Sequence, residues 1–166
     1  EGAFKECEKL EIVDFKGTVN VLKDDVFKST KLTNVILPNC EFELGTNVFS
    51  ECSSLETLTF QENTNITSIS GSLFNGSNLK QFIVDPNNKL YSADGAFLTN
   101  KEVDTIVLYA IGNELTEITI DSKYTHIGGS AFSGLNIETL TILNPETTIG
   151  NGAFAECKQL TTINLP

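Results

Sequence analysis

"IGNGAFAECKQLTTINLP" runs from Ile149 to Pro166, and near the other end "GAFKECEKLEIVDFK" runs from Gly2 to Lys16. The shared phrase is either two halves of one site, with Cys7 and Cys157 as ligands, or two turns of a repeat. Spacing decides between them. Phe4, Phe27, Phe49, Phe74, Phe132 and Phe154 are separated by 23, 22, 25, 58 and 22 residues. Downstream runs an apolar triplet, L-x-x-I-x-I, at Leu10/Val13/Phe15, Leu32/Val35/Leu37, Leu55/Leu58/Phe60 and Leu79/Phe82/Val84. It returns at Leu115/Ile118/Ile120, Ile137/Leu140/Ile142 and Leu160/Ile163/Leu165. Self-similarity at such a period marks a repeat architecture.

The pattern of one unit dictates its physics. The last two apolar positions of each triplet alternate with polar ones, the mark of a strand with one buried face. A turn follows, signalled by Pro38, Pro86 or Pro145. Then comes an I-G step at Ile127-Gly128 and Ile149-Gly150, with Leu44-Gly45 and Ile69-Ser70-Gly71 as looser versions. The A-F-x-x-C segment is too short for an independent helix and is expected to form one or two helical turns. A unit of this size cannot bury its apolar side alone, but stacked units can. The expectation is an α/β repeat solenoid: a parallel β-sheet on one face, short helical turns on the other, a phenylalanine spine inside. Residues 1–166 make a single domain of about seven coils. Within Leu90 to Ala110, "KLYSADGAFL" and "DTIVLYA" are two β-prone runs. They predict a β-hairpin inserted near 88–112 in the fifth coil, in place of its helical turn, with Asp94-Gly95 as a turn or bulge.

These residues resemble the BspA-like class of leucine-rich repeats, whose unit runs I-G-x-x-A-F-x-x-C-x-x-L-x-x-I-x-I-P. "IGNGAFAECKQLTTINLP" carries the whole phrase and "IGGSAFSGLNIETLTIL" most of it. "NNKLYSADGAFLTNKEVDTIVLYAIG" is similar to a variant unit of that class, in which a hairpin interrupts the coils. The resemblance extends over essentially the whole chain. It departs from the commonest leucine-rich repeat in lacking a regular Asn after each strand, so no Asn ladder is expected down the core. The resemblance implies a surface or secreted protein of the kind found in mucosa-associated bacteria and protozoan parasites. It implies adhesion through host extracellular proteins or other cells.

Composition narrows the partners. The 22 Asp and Glu outweigh 11 Lys and Arg, for a net charge of -11. Nucleic acids and anionic membranes reward the opposite sign. No run of about 18 apolar residues is present to insert in a membrane. "EGAFKECEKL" lacks the basic start and apolar stretch of a signal peptide. The absence of Met is expected of a fragment of a longer protein.

Cys7, Cys52 and Cys157 stand three residues after a spine phenylalanine, where other coils carry Thr30, Ser77 or Leu135. Strands stack ~4.8 Å apart, so nonadjacent coils are too distant for a disulfide. Small buried thiols packing beside Phe are expected. The alternatives are a Cys40–Cys52 disulfide and a zinc site, the latter weakened by the lack of C-x-x-C. The single histidine, His126, falls in the turn "THIG". No G-x-S-x-G or phosphate-binding loop accompanies it, and Asp24, Asp25, Asp85, Asp94 and Asp104 do not make a calcium loop. Neither enzyme activity, cofactor nor metal is expected. Two N-x-[ST] triplets, at Asn65 and Asn75, are glycosylation acceptors if the source is a eukaryotic surface protein, and otherwise chance.

The positions between buried strand residues point outward in columns. One reads Asp14, Ile36, Thr59, Ile83, Thr119, Thr141, Asn164; its neighbour reads Ile12, Asn34, Thr57, Gln81, Glu117, Thr139, Thr162. Stacked Thr suits a strand ladder for structural reasons alone, whereas Ile12, Ile36 and Ile83 are unusual in a solvated column. Together they make a moderately apolar strip on an acidic protein, the kind of surface on which solenoids dock extended partners. The functional expectation is a non-enzymatic binding module for a protein ligand, host extracellular matrix or another cell surface. The alternatives are a structural spacer in a longer array, or a targeting domain joined to an enzyme.

Overall fold

In a computed structural model that describes residues 1–69 and 73–166, the apolar triplets line one face of a β-solenoid. Strands β2 (Asn34–Ile36), β4 (Thr57–Phe60) and β6 (Gln81–Val84) pair in parallel as one sheet. Strands β10 (Glu117–Ile120), β12 (Thr139–Ile142) and β14 (Thr162–Asn164) pair as another. With six strands on this face, the chain makes about six turns. The triplet Leu10/Val13/Phe15 joins no strand, although the Lys31 amide reaches the Leu10 carbonyl at 3.0 Å.

A second layer carries the I-G steps. Strands β1 (Val21–Leu22), β3 (Glu41–Leu44) and β5 (Asn65–Ile69) form its first sheet. The other runs β13 (Thr148–Ile149), β11 (His126–Ile127), β9 (Thr105–Tyr109), β8 (Phe97–Asn100) and β7 (Tyr91–Asp94). Each step closes on its neighbour: the Gly45, Gly128 and Gly150 amides donate to Leu22, Ile106 and Ile127 carbonyls at 2.8, 2.7 and 2.8 Å. A Cβ on Gly150 would stand 2.6 Å from the Gly129 nitrogen, so coils stack this closely only with glycine there. The step expected at Ile69-Ser70-Gly71 lies, from Ser70 on, outside the described residues.

The expected helical turns do not form: no helix occurs among the described residues. The A-F segment is instead a turn with a left-handed residue two positions either side of the ring. Examples are Asp25 and Ser29 around Phe27, Asn47 and Glu51 around Phe49, and Gly152 and Glu156 around Phe154. Two left-handed residues four apart interrupt any right-handed helix. Their amides also turn outward to the next coil. Asp25, Phe27 and Ser29 donate to Thr46, Val48 and Ser50 carbonyls at 3.0, 3.1 and 2.9 Å. Ser130, Phe132 and Gly134 repeat the pattern on Asn151, Ala153 and Ala155 at 3.1, 2.8 and 2.8 Å. The amides between them close tight turns within the coil, Val26 on Lys23 and Lys28 on Asp25, so bonds between coils alternate with bonds inside one and no helix propagates.

The spine runs inside as stacked rings. Phe4, Phe27, Phe49 and Phe74 follow at centroid separations of 5.7, 5.9 and 5.9 Å. Tyr109, Phe132 and Phe154 follow at 5.3 and 5.0 Å. Tyr109 therefore holds the ring position of its coil, and its amide reaches the Ala131 carbonyl as Phe27 reaches Val48. Phe97, which shares the "GAF" phrase, sits in β8 and packs edgewise on Tyr124 and Phe132. The core accordingly falls into two apolar clusters that share Ala96 and Ile111 at the antiparallel β7–β8–β9 insert.

Candidate functional site

Backbone register aligns the outward columns. Asn34, Thr57 and Gln81 stand side by side, as do Ile36, Thr59 and Ile83. Thr57 donates to the Asn34 side-chain oxygen at 2.6 Å. Their inward neighbours Val35, Leu58 and Phe82 are buried, which fixes the outward direction of the others. Ile36 and Ile83 remain 54% and 47% exposed, and Ile12, at the unpaired end, 77%. In the other sheet Glu117 aligns with Thr139 and Thr162, and Thr119 with Thr141 and Asn164. Glu117 and Thr119 are exposed, Thr139 and Thr141 half-buried. The Asn164 amide donates to the Thr141 hydroxyl at 3.1 Å.

The two halves of the columns do not join. Among the described residues β6 pairs with β4 alone and β10 with β12 alone, so Gln81 and Ile83 have no strand register with Glu117 and Thr119. The insert causes the break. Its turn is anchored by Asp94, whose Oδ2 accepts from Lys123 Nζ and from the Tyr124 hydroxyl, both at 2.5 Å. Lys123 and then Tyr124 hold the Asp94 carboxyl below its ordinary range, while burial and the same carboxylate push the Tyr124 hydroxyl up. At its root, Asn88 is 1% exposed and makes four bonds. It donates to Gln61 and Thr64 carbonyls at 2.8 and 3.0 Å and accepts from Leu90 and Tyr91 amides at 2.9 Å each. The Tyr91 hydroxyl substitutes for a missing strand pair, donating to the Ile66 carbonyl at 3.1 Å and accepting its amide at 3.2 Å.

The remaining candidates have local partners. All four cysteines are free, and no Cys40–Cys52 disulfide exists. The Cys52 and Cys157 thiols donate to Phe27 and Phe132 carbonyls of the preceding coils at 3.1 and 3.2 Å. The Cys40 thiol reaches the Val19 carbonyl instead. Of the three A-F-x-x-C thiols expected to be buried, Cys52 is, Cys157 is half-buried and Cys7 is exposed; Cys52 and Cys157 act as small donors to the neighbouring ring residue's carbonyl, a role not legible from spacing. His126 is exposed in β11, its Nδ1 2.7 Å from the Thr125 hydroxyl. Among the described residues no group of three His, Cys, Asp or Glu converges on a metal position. Asn65 is half-buried and donates to Glu41 at 2.9 Å; Asn75 is half-buried beside Gly134. The sequence does not single out Asn88 or Tyr109, and it marks Asp94 only as half of the Asp94-Gly95 turn, which the structure places between antiparallel β7 and β8. For Tyr109 a signal existed: it stands 6 residues before Leu115 and 23 before Phe132.

With this geometry in place, the match to known proteins is specific. The sequence matches the BspA type leucine-rich repeat region in six copies, over residues 1–103 and 96–166. The chain belongs to the BspA-type leucine-rich repeat family. Among solved structures, a leucine-rich repeat protein from Eubacterium ventriosum superposes with a TM-score of 0.74 at 25% identity. The match covers 99% of this chain and 50% of that one. The pneumococcal vaccine antigen PcpA superposes with a TM-score of 0.61 at 20% identity, covering 92% of this chain and 44% of that one. The second likeness is one of fold. This BspA-type chain thus spans about half the length of either solved relative. Among curated proteins no sequence matches it.

Proposed function

We propose that this BspA-type chain is a non-enzymatic protein-binding module of a surface or secreted protein, adhering through its sheet face to extracellular matrix or another cell. The carrying observation is the strip Ile36–Thr59–Ile83, in register and with both isoleucines about half exposed, on a chain of net charge -11. Apolar side chains held outward on paired strands lose little entropy on docking. Likeness to a pneumococcal vaccine antigen supports a surface or secreted setting. The test pairs Ile36→Asp with Ile83→Asp and measures binding to a panel of immobilised extracellular matrix proteins. Burying two half-exposed isoleucines contributes about 2 kcal/mol together, so the double variant should bind at least about tenfold more weakly. Circular dichroism should be unchanged, because neither side chain is in the core. Matrix binding at full strength by the double variant would refute the reading.

A further inference from the structure

The break in the sheet face leaves an edge. β10 pairs with β12 alone, and among the described residues no other strand has a Cα within 8 Å of it. In a parallel ladder alternate residues direct their backbone groups to opposite neighbours. The Thr116 and Ile120 carbonyls accept the Thr139 and Leu143 amides at 3.1 and 3.0 Å. Glu117 and Thr119 therefore aim their amides and carbonyls away from β12, where no backbone group meets them among the described residues. Beside this edge lies a cleft of about 360 Å³ walled by Ala96, Phe97, Tyr109, Leu115, Ile118 and Glu117. Tyr109 is 3% exposed, and its buried hydroxyl has no hydrogen-bond partner. Glu117 is exposed and forms no ion pair among the described residues, unlike Asp94, which Lys123 neutralises.

We propose that an extended, lysine- or arginine-bearing segment of a partner protein adds as a strand to the β10 edge. This deepens, and rests on, the reading of the sheet face as a docking surface. Main-chain bonds to Glu117 and Thr119 supply the pairing such edges offer. Side chains of the added strand alternate as those of β10 do, so every second one enters the cleft against Phe97, Leu115 and Ile118. A lysine or arginine between them points outward with Glu117 and sets its cationic head on that carboxylate, and a threonine in the cleft gives the Tyr109 hydroxyl the polar neighbour it lacks. A chain of net charge -11 favours a basic segment over an acidic one.

The probe is a blocked pentapeptide of alternating threonine and lysine, with a glutamate counterpart, titrated into the chain while amide shifts and amide exchange are followed by NMR. The lysine peptide should shift and protect the Glu117 and Thr119 amides, and the glutamate peptide should bind at least tenfold more weakly. Glu117→Lys should weaken the lysine peptide at least fivefold. Thr119→Pro should do the same, because it removes an edge-facing amide without breaking a β10–β12 bond. Should that proline disturb the fold, Glu117→Gln provides the same test by neutralising the carboxylate. Shifts spread over the acidic surface, shifts that spare β10, or equal binding of the two peptides would overturn the proposal. So would protection of these amides in concentrated protein without peptide, which would place a second copy of the chain on the edge. The Ile36/Ile83 double variant leaves β10 intact. Full matrix binding by that variant beside retained peptide binding sinks only the broader reading, and the converse sinks only this one.

Discussion

Replacing Asn88 with alanine isolates what holds the insert in place. The side chain uses its whole bonding capacity on backbone, two carbonyls of the preceding coil and two amides at the start of β7. Asn88→Ala leaves those four groups without their partner in a site that is 1% exposed. Each orphaned buried group costs ~1–3 kcal/mol, so four represent ~4 kcal/mol or more. Water entering the vacated space restores part of this, and single substitutions seldom exceed ~4–5 kcal/mol. The expected loss is about 3–4 kcal/mol. In urea, with a slope near ~2 kcal/mol per molar, the midpoint should fall by about 1.5–2 M. The control is Asn144→Ala. That side chain bonds the Ser122 carbonyl and Glu146 amide at 2.9 Å each but is half exposed, so water replaces it and about 1 kcal/mol is expected. A midpoint drop for Asn88→Ala below about 0.5 M, or one no larger than for Asn144→Ala, would refute the reasoning.

The ring spine should show a position effect: Phe49 is fully buried between two rings and Phe4 is 48% exposed against one. Phe49→Ala should cost about 4–5 kcal/mol and Phe4→Ala about 1–2 in urea unfolding, and equal losses would show that stacking depth is irrelevant. The Asp94 anchor should be acid-sensitive. Lys123 and Tyr124 lower its folded pKa, so its contribution is whole above the ordinary carboxylate range and is lost as pH falls through the lower folded value. NMR of the Tyr124 ring should change only below about pH 4, and Asp94→Asn should abolish that change; a transition persisting in Asp94→Asn would assign it elsewhere.

Much of this fold is legible because it is periodic. Leu58, Phe60, Leu140 and Ile142 declare a buried strand face by alternation, and Ile36 and Ile83 declare an outward one. Asn88 was illegible for a physical reason: "DPNN" announces a turn, but which carbonyls an asparagine satisfies depends on the coil beneath it. The helical turns were misread because A-F-x-x-C suits a short helix or a left-handed turn locally, and only bonding to the next coil separates them.

The sequence by itself determined the repeat, its period, most of the buried ring and strand positions and the family, since all are written in short-range spacing; Leu115, Ile163 and Leu165, expected inside, are instead 52%, 56% and 66% exposed. Tertiary structure decided the rest. It gave the ring position to Tyr109 and not Phe97, because stacking on Phe132 requires the coil that β9, not β8, lays against β11. It parted the sheet face at β10, because the insert that follows β6 leaves that strand paired with β4 and out of register with β10. Spacing along one chain specifies each coil; whether neighbouring coils meet depends on backbone groups far apart in sequence.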